Sequence, residues 1–142
     1  MGAPGGLSDE LVFFVDRSLG HRAVAAALRD AGVRFEVHDA HFPQNATDEV
    51  WLGEVGRRGW PVLTADARIR YRAAEKKAVF DAGVALFILV ARDLDGASIG
   101  AAIVRALPRM RRVLDATKRP FIARFTAAGA VAELETGPRR TR

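Results

Sequence analysis

Short apolar runs alternate with segments of helical period along most of the chain, and this alternation constrains the fold more than any other feature. Residues 11–15, LVFFV, are continuous, aromatic and β-branched, which favours a buried strand over a helix of that length. Residues 19–31 place Leu19, Val24, Ala27, Leu28 and Ala31 at helical spacing, and Gly32 closes the segment. Residues 33–37 alternate with period two and predict a second strand. Residues 39–46, with Pro43 and Asn45, predict a loop. Thr47 suits the N-cap of a helix running to Arg58, with Trp51, Leu52 and Val55 as its apolar stripe and Gly59 as its stop. A third strand is predicted over 61–64, a helix over 71–82 ended by Gly83, and the clearest strand over 84–90. Asp95 would cap a helix over 96–107, with Pro108 opening another to about Ala116. Residues 121–125 and 130–134 predict a closing hairpin around Gly129.

Strands alternating with helices of this length imply βαβ units. The expected class is therefore α/β, with a mainly parallel sheet and strand 11–15 at its centre. Residues 11–135 are expected to form one domain, between a flexible N-terminus (1–10) and a basic, disordered tail (136–142). At 142 residues, a single core of ordinary size suffices.

Composition narrows the function. The chain has no cysteine, which excludes disulfides, zinc fingers and thiolate catalysis. No apolar run reaches the length of a membrane span, and the glycine-rich first eight residues lack the pattern of a signal peptide. A cytoplasmic protein is the expectation. The net charge is +5, but it is unevenly spread: residues 64–80, 105–124 and the tail hold the basic excess, and the rest is net acidic. Such segments suit a polyanion such as nucleic acid, or simply a solvated helix face.

Three aspartates stand where chemistry would be placed. Asp16 directly follows the first strand, and Asp66 follows the third by two residues. Ligands of open parallel sheets bind outside the carboxyl ends of the strands. Asp48 continues the apolar stripe of Trp51, Leu52 and Val55 at the start of its helix, so it faces the sheet. An inward carboxylate is costly without a partner. A hard divalent cation, which takes carboxylate oxygens and keeps several waters, is one such partner. Taken singly, Asp16 could cap a helix, Asp48 could favour a helix dipole and Asp66 could make a turn. His21, His38 and His41 lack the spacing of a metal site, and Trp51 and Trp60 read as core.

The blocks FFVDRSLG (13–20), TDEVWL (47–52) and GWPVLTADARIR (59–70), in that order, resemble the short PIN-like ribonucleases of the VapC toxin type. The closing segments RPFIARF (119–125) and AAGAVAEL (127–134) are similar to the C-terminal part of that subgroup. The resemblance implies a three-layer PIN-like α/β/α domain and Mg²⁺-dependent endonucleolytic hydrolysis of RNA, with Mn²⁺ as a substitute. Asp16, Asp48 and Asp66 would be the metal ligands. The family pattern has a further acidic residue on a helix between the first and third of these positions, and this chain lacks that stretch. Only Glu36 and Asp39 lie nearby, in a strand and a loop, and Glu49 could compensate from the next helix, as an auxiliary ligand or base. Arg17 and Arg68 adjoin the carboxylates and would reach phosphate, while Arg72, Lys76 and Lys77 would hold the RNA backbone. The implied partners are RNA and a cognate antitoxin protein, with a homodimer allowed for and no membrane. The missing acidic position supports an alternative, a catalytically degenerate PIN-like module that binds RNA or protein. A receiver-type phosphoacceptor domain fits poorly, because the strand over 84–90 ends without its lysine.

Overall fold

A computed structural model describes residues 11–20, 22–66, 68–91 and 93–136, without the side chains of Arg70, Tyr71, Glu133 and Leu134. The expected flexible N-terminus, the tail from residue 137 and His21 lie outside the described residues. Six strands form one sheet: β1 (Val12–Val15), β2 (Arg34–Val37), β3 (Val62–Thr64), β4 (Ala85–Val90), β5 (Phe121–Thr126) and β6 (Val131–Thr136). Their spatial order is β2-β1-β3-β4-β5-β6. All neighbours are parallel except β5 and β6, which pair as the predicted antiparallel hairpin. β1 is interior, between β2 and β3, but one place from the edge instead of central. The chain leaves β1 toward β2 on one side and returns to β3 on the other. The order of strands therefore reverses at β1.

Both faces of the sheet are covered, and period two divides the strand residues between them. Phe13, Val15, Phe87, Phe121 and Phe125 pack with α1 (Arg22–Asp30) and the long helix that follows β4. Phe14, Val62, Leu86, Ile88 and Ile122 pack on the opposite face with α3 (Asp48–Arg58) and α5 (Ala73–Ala82). The short helices α2 (His38–His41) and α4 (Arg68–Tyr71) sit just beyond the carboxyl ends of β2 and β3. This is a three-layer α/β/α domain whose interior strands β1, β3, β4 and β5 are largely buried, as a parallel sheet covered on both faces requires, while the edge strands β2 and β6 are more exposed.

Local signals account for most boundaries. Thr47 caps α3, its hydroxyl accepting the Val50 N–H at 3.4 Å. Gly59 and Gly83 end α3 and α5 in the left-handed region, which glycine alone adopts without a Cβ penalty. A Cβ on Gly56 would come within 2.1 Å of the Ala82 carbonyl oxygen, so α3 and α5 can approach closely only because that residue is glycine.

Three local expectations need correction. The segment 39–46, read as loop, begins as helix α2. The predicted helix over 71–82 is two helices, with Arg72 in extended conformation between them as the N-cap of α5. Residues 96–107 and 108–116 form one helix, α6 (Gly96–Ala116), with Pro108 inside it. A proline costs a helix one backbone bond. Here Ala102, Ile103, Ala106, Leu107 and Met110 are buried on both sides of it, so packing holds the helix through the defect.

Candidate active site

The reversal of strand order at β1 opens a crevice at the carboxyl edge, between the ends of β1 and β3. Asp16 enters it directly from β1, its N–H donating to the Leu63 carbonyl at 3.0 Å. Its Oδ2 accepts from the Ser18 hydroxyl at 2.7 Å and the Thr64 hydroxyl at 2.8 Å. Thr64 is fully buried, and its oxygen also accepts the Asp66 N–H at 3.1 Å. Ser18 in turn accepts the Ala65 N–H at 2.9 Å. These two hydroxyls tie the end of β1 to the turn after β3 and fix where both carboxylates leave the sheet.

Asp48 arrives from the opposite side, on the first turn of α3. Its Oδ1 accepts the indole N–H of Trp51 at 3.0 Å. Trp51 is buried and stacks on Phe14, with ring centroids 5.4 Å apart. The tryptophan is core, as expected, and it also aims the carboxylate.

Asp66 is the most heavily engaged of the three. Its carboxylate accepts the Arg68 backbone N–H at 3.0 Å, and the Arg68 Nε and Nη2 at 2.9 and 2.7 Å. The guanidinium holds the Asp66 carboxyl below the usual carboxylate range, while burial opposes the shift. Asp66 chiefly, then Asp48 and Glu75, push the Arg68 pKa up in return. Arg68 therefore sits within the field of two of the three predicted ligands.

Asp16, Asp48 and Asp66 line one pocket of about 260 Å³, together with Arg17, Ser18, His38 and Arg68. Glu49 is not brought into it. It lines a smaller cavity with Asp48 and Glu75, between α3 and α5. Arg72, Lys76 and Lys77 do not line the pocket either. Arg72 stands 4.0 Å from Glu75, while Lys76 pairs with Glu135 and Lys77 with Asp81, both at 2.5 Å. Arg72 is the extended N-cap of α5, its carbonyl accepting the Lys76 N–H at 3.1 Å, so it stands just outside the helix that carries the two lysines.

Besides Ala46, Trp51 and Ile69, two polar pocket residues, Ser18 and His38, are absent from the sequence-derived set. The parallel register pairs Val15 with Val37, so Asp16 and His38 are the next residues on adjacent strands. Knowing that β2 neighbours β1 would have found the histidine. Among the described residues, no three carboxylate or imidazole side chains are arranged as the shell of one metal ion. The donors are of the right chemical kind for a hard cation, but Arg68 occupies one of them.

Known proteins agree with this architecture. Residues 11–91 match the family described as PIN-like domain. The chain is 34% identical over 110 residues to "Putative ribonuclease VapC45" of Mycobacterium tuberculosis, covering 75% of this chain and 80% of that protein. The chain thus belongs to the PIN-like domain family, in its VapC-type branch. No solved structure matches it.

Proposed function

We propose that this chain is a metal-dependent endoribonuclease, the toxin of a toxin–antitoxin pair acting in the cytoplasm. The observation that carries this reading is the convergence of Asp16, Asp48 and Asp66 on one pocket at the switch point of the sheet, flanked by Arg17 and Arg68. The name of the mycobacterial relative, a ribonuclease, supports RNA as the substrate, and membership of the VapC-type branch supports an antitoxin as the partner. Among the described residues no helix is long and apolar enough to cross a membrane.

Asp16, Asp48 and Asp66 would hold Mg²⁺ or Mn²⁺, once Arg68 yields its place on Asp66. The bound ion supplies charge against the scissile phosphate and an acidified water. The chain's own residues do the rest. Ser18 and Thr64 hold Asp16 in one orientation, and Trp51 does the same for Asp48. Arg17 and Arg68 reach phosphate oxygens, where a guanidinium binds in bidentate fashion. Glu49 influences the pocket through its neighbour Asp48.

Cleavage of RNA in Mg²⁺ or Mn²⁺ tests the reading, with Asp16→Asn and Asp66→Asn as companions. Loss of a partner one shell out from a metal costs about 10–100-fold, so loss of a ligand costs at least that. The expected result is cleavage by the parent only, with unchanged thermal melting of both variants. Equal cleavage by Asp66→Asn would sink it. One observation favours the second reading, a binding module without catalysis: Asp66 is already neutralised by Arg68. RNA binding with no cleavage at saturating Mn²⁺ would select that reading.

A further inference from the structure

A second pocket opens on the same sheet edge, one gap away, between the carboxyl ends of β1 and β2. It measures about 120 Å³ and is lined by Val15, Arg17, Gly20, Val37, His38 and Asp39. Arg17 and His38 line both pockets, so the two adjoin. The second pocket has an apolar floor, Val15 and Val37, and a polar wall.

His38 makes this more than a surface dimple. It is 2% exposed, packed against Phe14, Phe42 and Trp51. Its Nδ1 is nevertheless the one buried side-chain nitrogen or oxygen among the described residues that lacks a hydrogen-bond partner. The nearest acceptor, Asp39 Oδ1, is 3.5 Å away without hydrogen-bond geometry. Buried polar groups almost always have a partner, and an orphan asks for an explanation. Asp39 is half exposed and stands beside the orphan atom at the end of β2. In the dinucleotide-binding kind of open α/β sheet, an acidic residue about 20 positions past the first βα turn accepts a ribose 2′-hydroxyl, and Asp39 holds a comparable place here.

We propose that this second pocket binds the ribose next to the scissile phosphate, with Asp39 and the His38 Nδ1 bonding its 2′-hydroxyl. The proposal rests on the ribonuclease reading and deepens it. The two pockets would hold neighbouring parts of one strand, phosphate over the aspartates and sugar over Asp39, with Arg17 between them. A hydroxyl is both donor and acceptor. The carboxylate can take its proton, and Nδ1, when it carries a hydrogen, can donate to its oxygen. DNA offers neither, so the pocket discriminates against it.

The test measures affinity of the full chain for a pool of random-sequence RNA 12-mers and a matching DNA pool. Ca²⁺ serves as the divalent ion. The parent should prefer RNA by about tenfold or more, the worth of one or two hydrogen bonds. Asp39→Asn and His38→Gln should bring the ratio of RNA to DNA affinity close to one. Asp39 is exposed enough that its variant tests the idea even where His38→Gln fails to fold. The ratio cancels any general effect of removing a negative charge, which shifts both pools alike. A full RNA preference in Asp39→Asn overturns the subsite, as does equal binding of both pools by the parent; either leaves the nuclease reading standing. A parent that binds neither pool overturns both.

Discussion

Two stretches hold most of the basic residues, and the fold uses them in opposite ways. In residues 105–124 three of the seven cations, Arg105, Arg109 and Arg119, bond to neutral carbonyls. Arg105 donates to Ala127 O at 3.0 Å and Arg109 to Gly129 O at 3.3 Å, fastening α6 to the turn between β5 and β6. Arg119 donates to Gly59 O at 2.7 Å, at the end of α3. In residues 68–77 the cations bond to carboxylates: Arg68 to Asp66, Lys76 to Glu135 and Lys77 to Asp81, with Arg72 beside Glu75. An arginine on a carbonyl keeps its full charge and supports a turn. A cation on an exposed carboxylate, as at Glu135 and Asp81, loses much of its field, yet holds a partner worth only about 0–1 kcal/mol. Such pairs exchange readily for phosphate. In the first stretch Arg105, Arg109 and Arg119 therefore support structure, and under the proposed function the second stretch would exchange its carboxylates for phosphate.

The largest effect expected from this contrast is on RNA binding. Replacing Arg72, Lys76 and Lys77 together with alanine should flatten the salt dependence, each lost phosphate contact removing about 0.7 from the slope for a single strand. Stability should hardly move. Affinity measured across several salt concentrations decides. If the triple variant keeps its slope while Arg105→Ala with Arg109→Ala loses it, the assignment of the two stretches is reversed.

The next effect concerns Arg68 and the divalent ion. Removing the guanidinium frees Asp66, so Arg68→Ala should bind Mn²⁺ several-fold more tightly by calorimetry without RNA. Arg17→Ala is the control, since Arg17 lines the same pocket and no carboxylate bond ties it to Asp66. An equal gain in both variants would mean that only the general field changed. Unchanged affinity in Arg68→Ala would mean that the ion does not use Asp66.

Arg109→Ala should cost stability instead. The lost bond is worth about 1 kcal/mol, which is about 2–4 °C for a domain of this size. Thermal melting reads this directly, and RNA affinity should change less than in the triple variant. A variant that melts like the parent but binds RNA poorly would make Arg109 an RNA contact.

Much of this organisation was legible in the sequence because it depends on neighbours in the chain. Thr47, Gly59 and Gly83 mark helix ends through their own backbone and side-chain chemistry. The run at 84–90 and the aspartates after β1 and β3 follow from strand period and from the rule for sheet edges. What escaped depends on neighbours in space. Ser18 and His38 join the pocket because β1 lies between β2 and β3. Glu49 points elsewhere because α5 packs beside α3, a contact that Gly56 makes possible. The continuity of α6 through Pro108 is set by burial on both sides of it, and local propensity argues the other way. The partners of Arg105 and Arg109 lie 22 and 20 residues further along the chain, beyond any spacing rule.

The smallest expected effect separates the two stretches by pH. Arg68 lowers the Asp66 pKa, so this pair stabilises the fold while Asp66 is ionised. The sign follows from linkage. A carboxyl with a depressed folded pKa contributes stability above its unfolded value, about 3.9, and that contribution is lost as pH falls through the folded value. The Arg109 bond to the Gly129 carbonyl involves no group that titrates in acid. Denaturant unfolding of the metal-free parent, Arg68→Ala and Arg109→Ala from pH 6 to pH 2.5 makes the comparison. The deficit of Arg68→Ala should be constant at the upper end, shrink below about pH 4 and vanish once Asp66 is protonated in both folded and unfolded chains. The deficit of Arg109→Ala should persist over the whole range. If both deficits fade together in acid, Arg109 answers to a carboxylate as Arg68 does, and the division between a structural and an exchangeable set of cations does not hold.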